Sequence, residues 1–265
     1  MGFGDSDTHR LDHGPGQMRI PAIQGIIARR LLVNYRIDPD ALIRALPTPF
    51  EPLLVDGYGV AGICLIRLAQ IKPAALPGAW GFSSENGAHR IAVRLPEGGE
   101  AVYIPRRDTG SRLNTLLGGR LFPGVHHHAE FTTHETDDRI EVRMRSDDGE
   151  TRVEVVGRPS SALQSGSVFP DTDAASKFFE RGSLGYSDTR DPSEFDALEL
   201  RTRTWHVTPL EVDHVLSSFF EDPSRFPPGS VEFDNALLMQ DIDHEWVARD
   251  SLYCAGIPET PAQIS

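Results

Sequence analysis

Alternation with a period of two constrains this sequence more than any other feature. In Ile140-Glu141-Val142-Arg143-Met144-Arg145, apolar and charged side chains fall on opposite faces of an extended chain. Arg152-Val153-Glu154-Val155-Val156 follows, after the turn residues Asp147-Asp148-Gly149. Apolar residues two apart share one buried face only in a strand, so the pair reads as a β-hairpin. Residues 89–95 and 101–104 alternate in the same way across Pro96-Glu97-Gly98-Gly99, and strands are predicted over 52–55, 58–68 and 230–240. Helical signals are few. Asp38 before Pro39 caps a short helix that Pro47 and Pro49 end. A second covers 172–181, with Gly182 as its C-cap. A third is predicted from Thr208-Pro209-Leu210-Glu211, a capping box with proline in the first helical position, and runs to Phe220. Many strands with separate helices, no repeat and no dividing linker imply an α+β class, a β-rich single domain around a curved sheet or barrel. The expected boundaries are a polar, disordered tail over 1–17, one domain over 18–250 and a C-terminal tail over 251–265.

Charge and residue usage exclude several function classes. A net charge of −13 argues against nucleic acid or an anionic membrane as partner. No run approaches the roughly 18 apolar residues of a membrane span. The longest apolar stretch, residues 60–68, is broken by Gly62 and Arg67 and reads as a buried strand. The first residues lack the apolar core of a secretory signal, so a cytoplasmic location is expected. Cys64 and Cys254 are too few for a disulfide framework or a four-thiolate metal site, and Cys64, inside an apolar run, reads as a core residue. Of 26 basic residues, Lys72 and Lys177 alone are lysines, and an imine-forming mechanism would have to use one of them.

Four groups of residues carry candidate chemistry. On a strand, His126 and His128 would share a face opposite His127, placed for acid–base work, hydrogen bonding or simple structure. A metal would need further ligands from Glu85, His89, Glu130 or His134, and no His-Glu-x-x-His pattern exists, so neither metal nor cofactor is assigned. Arg106-Arg107-Asp108 offers a guanidinium fork for an anionic substrate, or a structural ion pair; Arg120 carries the same ambiguity. Tyr186 offers a phenol, as a pocket donor or as a core residue. Phosphate-binding and nucleophile-elbow motifs are absent.

Arg30-Leu31-Leu32-Val33-Asn34-Tyr35, residues 103–108, 118–127, 183–186 and 237–246 together resemble the YqjF-like branch of the acetoacetate decarboxylase-like superfamily. The resemblance implies a cone-shaped β-barrel with a few peripheral helices and a buried pocket in which relatives process small oxo acids. In acetoacetate decarboxylases, a glycine-arginine pair leads through a Phe-Pro turn into two lysines, the first of which forms an imine. Gly119-Arg120-Leu121-Phe122-Pro123 resembles that lead-in, but Gly124-Val125-His126-His127-His128 follows, so the imine nucleophile is missing. Ser84-Glu85-Asn86-Gly87 resembles the segment carrying the family's pocket glutamate, which identifies Glu85; inside an apolar barrel its carboxyl would rise toward neutral pH. The expectation is a lyase or isomerase acting on an oxo acid or related carbonyl compound. Glu85 would move protons with His126 or His128 assisting, Arg106, Arg107 or Arg120 would hold the negative charge, and Tyr186 would donate a hydrogen bond. The alternatives are a non-catalytic module binding a small metabolite in the same pocket and, third, a metal-dependent enzyme. The oligomeric state is left open, a homo-oligomer included.

Overall fold

The computed structural model describes residues 22–75, 81–112 and 124–254. Its centre is β1 (Ala22–Ile37), which lies antiparallel between β13 (Val231–Tyr253) and β4 (Tyr58–Pro73). β4 pairs with β5 (Phe82–Arg94), and β5 with β6 (Glu100–Thr109), giving a wall ordered β13–β1–β4–β5–β6. The short β2 (Glu51–Pro52) and β3 (Leu54–Val55) pair with β5 and β4. Both outer strands of the wall divide their free edge between two partners. On β6, residues 102–104 pair with β10 (Leu184–Asp188) and residues 107–109 with β7 (His126–Thr136). On β13, residues 236–238 pair with β12 (Thr208–Ser217) and residues 244–253 with β11 (Glu194–Thr202).

The forked edges close two rings on one wall. Through β7, β8 (Arg139–Ser146), β9 (Arg152–Pro159) and β12, the wall becomes a closed nine-strand barrel. Through β10 and β11 it closes a shorter ring of β6, β10, β11, β13, β1, β4 and β5. Alternating wall residues serve the two sides. Leu31, Val33, Ile63, Leu65 and Ile91 pack with Val142, Met144, Val153 and Val155 in the barrel core. Leu32, Cys64 and Ala92 belong to a second core with Leu198, Phe178 and Phe179. Each fully buried aliphatic side chain contributes about 1.5–3 kcal/mol, so both faces of the wall hold the fold together. This is why β4 is apolar almost without interruption from Val60 to Leu65.

Two helices form where the caps predict. In α1 (Pro39–Ala45) the Asp38 side chain accepts from the amides of Asp40 and Ala41, at 2.9 and 3.2 Å. In α2 (Thr172–Arg181) Asp171 accepts from Ala174 at 2.8 Å, and Gly182 closes the last turn on Phe178. The predicted helix from Thr208 is instead β12, and only α3 (Ser218–Glu221) is helical. Its capping-box residues have stronger partners in the sheet: 208–210 pair with β13, 210–217 pair with β9, and Glu211 bonds Arg158 at 2.7 Å. Tertiary pairing outweighs a capping preference worth about 1 kcal/mol. Several strands also outrun their expected ends. β6 continues through Arg106-Arg107-Asp108, and β13 extends to Tyr253, past the expected limit of the domain.

The wall leaves no room for side chains where backbones approach. A Cβ on Gly62 would stand 2.2 Å from the Val33 carbonyl oxygen and 3.2 Å from Asn34 Cα on β1. Although valine favours strands, Gly62→Val is therefore expected to destabilise the protein by roughly 1–3 kcal/mol or more. Thermal unfolding checks this: an unchanged midpoint would show that β1 and β4 can separate locally at no cost.

Candidate functional site

Every strand of the shorter ring contributes to a single pocket. Arg30 comes from β1, Cys64 and Ile66 from β4, Ala88 and Arg90 from β5, and Val102, Ile104 and Arg107 from β6. Gly185 of β10, Leu198 and Leu200 of β11, Trp246 of β13 and Phe178 and Phe179 of α2 complete the lining. The cavity has a volume of about 90 Å³ and opens partly to solvent. Most of the lining is apolar, yet three guanidinium groups enter it.

Each guanidinium is oriented by neutral groups. Arg90, 6% exposed, donates to Asn34 Oδ1 and lies over the Phe179 ring, 4.7 Å from its centroid. Asn34 is itself fixed by a 2.7 Å bond from its amide to Asn235. Arg107 donates from Nε to Ser187 Oγ at 2.9 Å. Arg30 donates from Nε to Cys64 Sγ at 3.0 Å and lies over Trp205, 5.7 Å from the ring centroid. Among the described residues no carboxylate forms a salt bridge with any of the three. Burial holds both Arg90 and Arg107 below the ordinary guanidinium range, at about 10, aided at Arg90 by the Arg30 charge and opposed at Arg107 by Asp196. Glu100 reaches the lining, but its carboxylate accepts from Arg181 Nε at 3.2 Å.

The barrel side of the wall has the opposite electrostatic character. Arg29, 1% exposed, pairs with Glu85 at 2.5 Å and with Glu135; Arg67 pairs with Glu85 at 2.6 Å and with Glu135 at 2.9 Å. The expected apolar surroundings of Glu85 are thus replaced by two guanidinium groups. His89 lies on this side too, fully buried, its ring 4.4 Å from that of Phe219 and both nitrogens without a hydrogen-bond partner among the described residues. Burial, reinforced by Arg106 and Arg225, lowers its pKa to about 3, so it is neutral in the folded protein.

The structure separates the residues singled out from the sequence. Arg107 lines the pocket, whereas Arg106 turns to Asp108 and Asp148, at 2.8 and 2.9 Å, as a structural pair. Tyr186 packs with Phe50 among the barrel-side aromatics, not in the pocket, because its neighbours Gly185 and Ser187 take the pocket face of β10. His126 opens β7 as the cross-strand partner of Arg107. His128 Nδ1 lies 2.8 Å from Asp147, and His127 Nδ1 3.0 Å from Asp148, both in the β8–β9 turn. No polar contact joins Glu85 to a histidine among the described residues, and they hold no cluster of three or more metal-ligating side chains. Arg120 lies outside the described residues. Arg30, Arg90 and Cys64 were missed; the available signal was an arginine at the centre of an alternating strand, in His89-Arg90-Ile91.

The sequence profile of the DUF2071 family of uncharacterized conserved proteins matches residues 27–232. No curated protein matches the chain. Among solved structures, an acetoacetate decarboxylase from Legionella pneumophila shares the fold with a TM-score of 0.54 and 14% identity, covering 94% of each chain. An acetoacetate decarboxylase-like enzyme from Sphingomonas wittichii gives 0.53 at 13% identity, covering 94% of this chain and 100% of the other. The enduracididine biosynthesis enzyme MppR, complexed with the condensation product of pyruvate and imidazole 4-carboxaldehyde, gives 0.54 at 12% identity over 92% and 98%. At these identities the likeness is one of fold.

Two stability measurements follow from the barrel-side groups. Glu85→Gln removes one counter-charge from the buried Arg29 while Glu135 stays, so a loss of about 1–3 kcal/mol is expected on denaturant unfolding. An unaltered midpoint would mean that Glu85 is held in place for some other reason. His89 carries a proton more readily unfolded than folded, so its contribution is complete above about pH 6.5 and is lost as pH falls toward 3. His89→Phe should flatten the acid limb of stability in that window; an identical limb would show that His89 protonates inside the fold.

Proposed function

Because the chain belongs to the DUF2071 family and shares the acetoacetate decarboxylase-like fold, we propose that it is an enzyme of the lyase or isomerase type. It takes a small oxo acid, or a related carbonyl compound, into the arginine pocket and holds it by its carboxylate. A charge excess carries this reading: Arg30, Arg90 and Arg107 line a mostly apolar pocket, none is salt-bridged to a carboxylate among the described residues, and the nearby Asp196 offsets Arg107 in part. A guanidinium fork matches a carboxylate in bidentate geometry, and a small anion would supply the missing counter-charge. The pyruvate-derived ligand of MppR supports the same substrate class on the same fold.

The chemistry of this pocket proceeds without an imine. Neither Lys72 nor Lys177 lines it. Gly124, the residue directly after the family-like lead-in, has a φ of +88°, and a Cβ there would stand 2.7 Å from Ser187 Cβ. A lysine side chain does not fit at that position without moving the Ser187 that holds Arg107. Proton transfer is not assigned to Glu85, whose carboxylate is engaged by Arg29 and Arg67 across the wall.

Calorimetric titration with pyruvate tests the reading. Arg90→Met and Arg107→Met should each weaken binding at least about tenfold, a change of ~1.4 kcal/mol. Equal affinity in all three proteins would overturn the assignment of the pocket. Mass spectrometry of a metabolite extract incubated with the protein then separates an enzyme, which depletes one compound, from a binding module, which only retains it.

A further inference from the structure

Cys64 stands where the pocket's chemistry would act. It is 3% exposed, lines the pocket, and its Sγ accepts from Arg30 Nε at 3.0 Å. Arg90, 6% exposed, lines the same pocket; it donates to Asn34 Oδ1, while its Nε has no acceptor among the described residues. The Cys64 sulfur is also within electrostatic reach of both Arg90 and Arg107. A purely structural cysteine needs none of these neighbours. Cys64 belongs to the second apolar core, yet unlike Ile63 and Leu65 on the other face it has a guanidinium bonded to it.

We propose that Cys64 is the nucleophile of the pocket and captures a 2-oxo acid reversibly as a thiohemiketal, the carboxylate held by Arg90 and Arg107. This rests on the anion-binding reading above and deepens it. The S–H group adds across the keto group: the carbon–sulfur bond forms, the C=O π bond breaks, and the sulfur's proton ends on the new hydroxyl oxygen. The addition is redox-neutral and needs no further reactant. Anchoring the carboxylate beside the sulfur turns a weak bimolecular addition into one within a complex, where effective concentrations are high. Arg30, already bonded to the sulfur, is placed to donate to the oxygen as charge gathers on it.

Competitive alkylation of the full-length protein tests the assignment. A thiolate displaces iodide from iodoacetate or iodoacetamide, and only the first reagent carries a carboxylate. Site-resolved mass spectrometry should show Cys64 carboxymethylated by iodoacetate roughly tenfold or more faster than iodoacetamide modifies it, as expected of a cationic cleft. Pyruvate should protect it. Cys254, whose Sγ donates to the Thr48 carbonyl at 2.6 Å away from the pocket lining, serves as the internal reference without that preference. A Cys64 that reacts equally with both reagents, or not at all in the folded protein, overturns the proposal. Calorimetry with pyruvate separates the two levels. Weaker binding in Cys64→Ser with folding intact supports capture by the sulfur. Equal binding in wild type and Cys64→Ser rejects the nucleophile but leaves the anion site standing. No binding in either rejects both.

Discussion

A β-strand offers two edges and two faces, and this fold uses all four in β6 and β13. Each gives one edge to the wall and divides the other between two partners, and that division closes two rings on a common wall. Once the rings exist, neighbouring wall residues must serve different interiors, because side chains alternate along a strand. Three adjacent pairs show the consequence. Arg29 and Arg30, His89 and Arg90, Arg106 and Arg107 each send the first residue to the barrel side and the second to the pocket. A one-residue slip in the register of any of them would exchange the two environments.

The two sides solve the burial of guanidinium groups differently. On the barrel side, Arg29 and Arg67 pair with Glu85 and Glu135, and Arg106 with Asp108 and Asp148, so every one of these guanidinium groups has a carboxylate partner. In the pocket, orientation comes from Asn34, Ser187 and aromatic faces, none of which supplies a negative charge. Removing a cation from water is expensive, and burial holds both Arg90 and Arg107 at about 10, with the Arg30 charge adding to the effect at Arg90 and Asp196 opposing it at Arg107. That difference is the ground for proposing the pocket, rather than the ion-paired barrel-side cluster, as the place where an anion binds.

Local rules made part of this legible. The β8–β9 hairpin, the Asp38 cap and the Gly182 terminus are decided within a few residues, and the structure contains all three. Thr208-Pro209-Leu210-Glu211 satisfied a local rule as well, but its partners on β9 and β13 lie elsewhere in the sequence and decided the outcome. β10 has only five residues and β11, with nine, has no strict alternation, so their pairing to β6 and β13 identifies them. Among the candidate residues, Arg107 was visible as part of a charged triplet. Glu85 was visible only through resemblance, and its partners Arg29 and Arg67 are 56 and 18 residues away. Cys64 read as core because its own strand is apolar; the pocket around it is assembled from seven strands, and no single segment carries its pattern.

The central claim is that the arginine pocket, and not the ion-paired interior of the barrel, receives an anionic carbonyl compound. A crystal structure of the protein grown with a saturating 2-oxo acid tests it most directly. The account predicts density for the ligand with its carboxylate between Arg90 and Arg107 and its keto carbon toward Cys64. Ligand bound instead beside Glu85 and Arg29, or a pocket filled only by water at saturation, would contradict it.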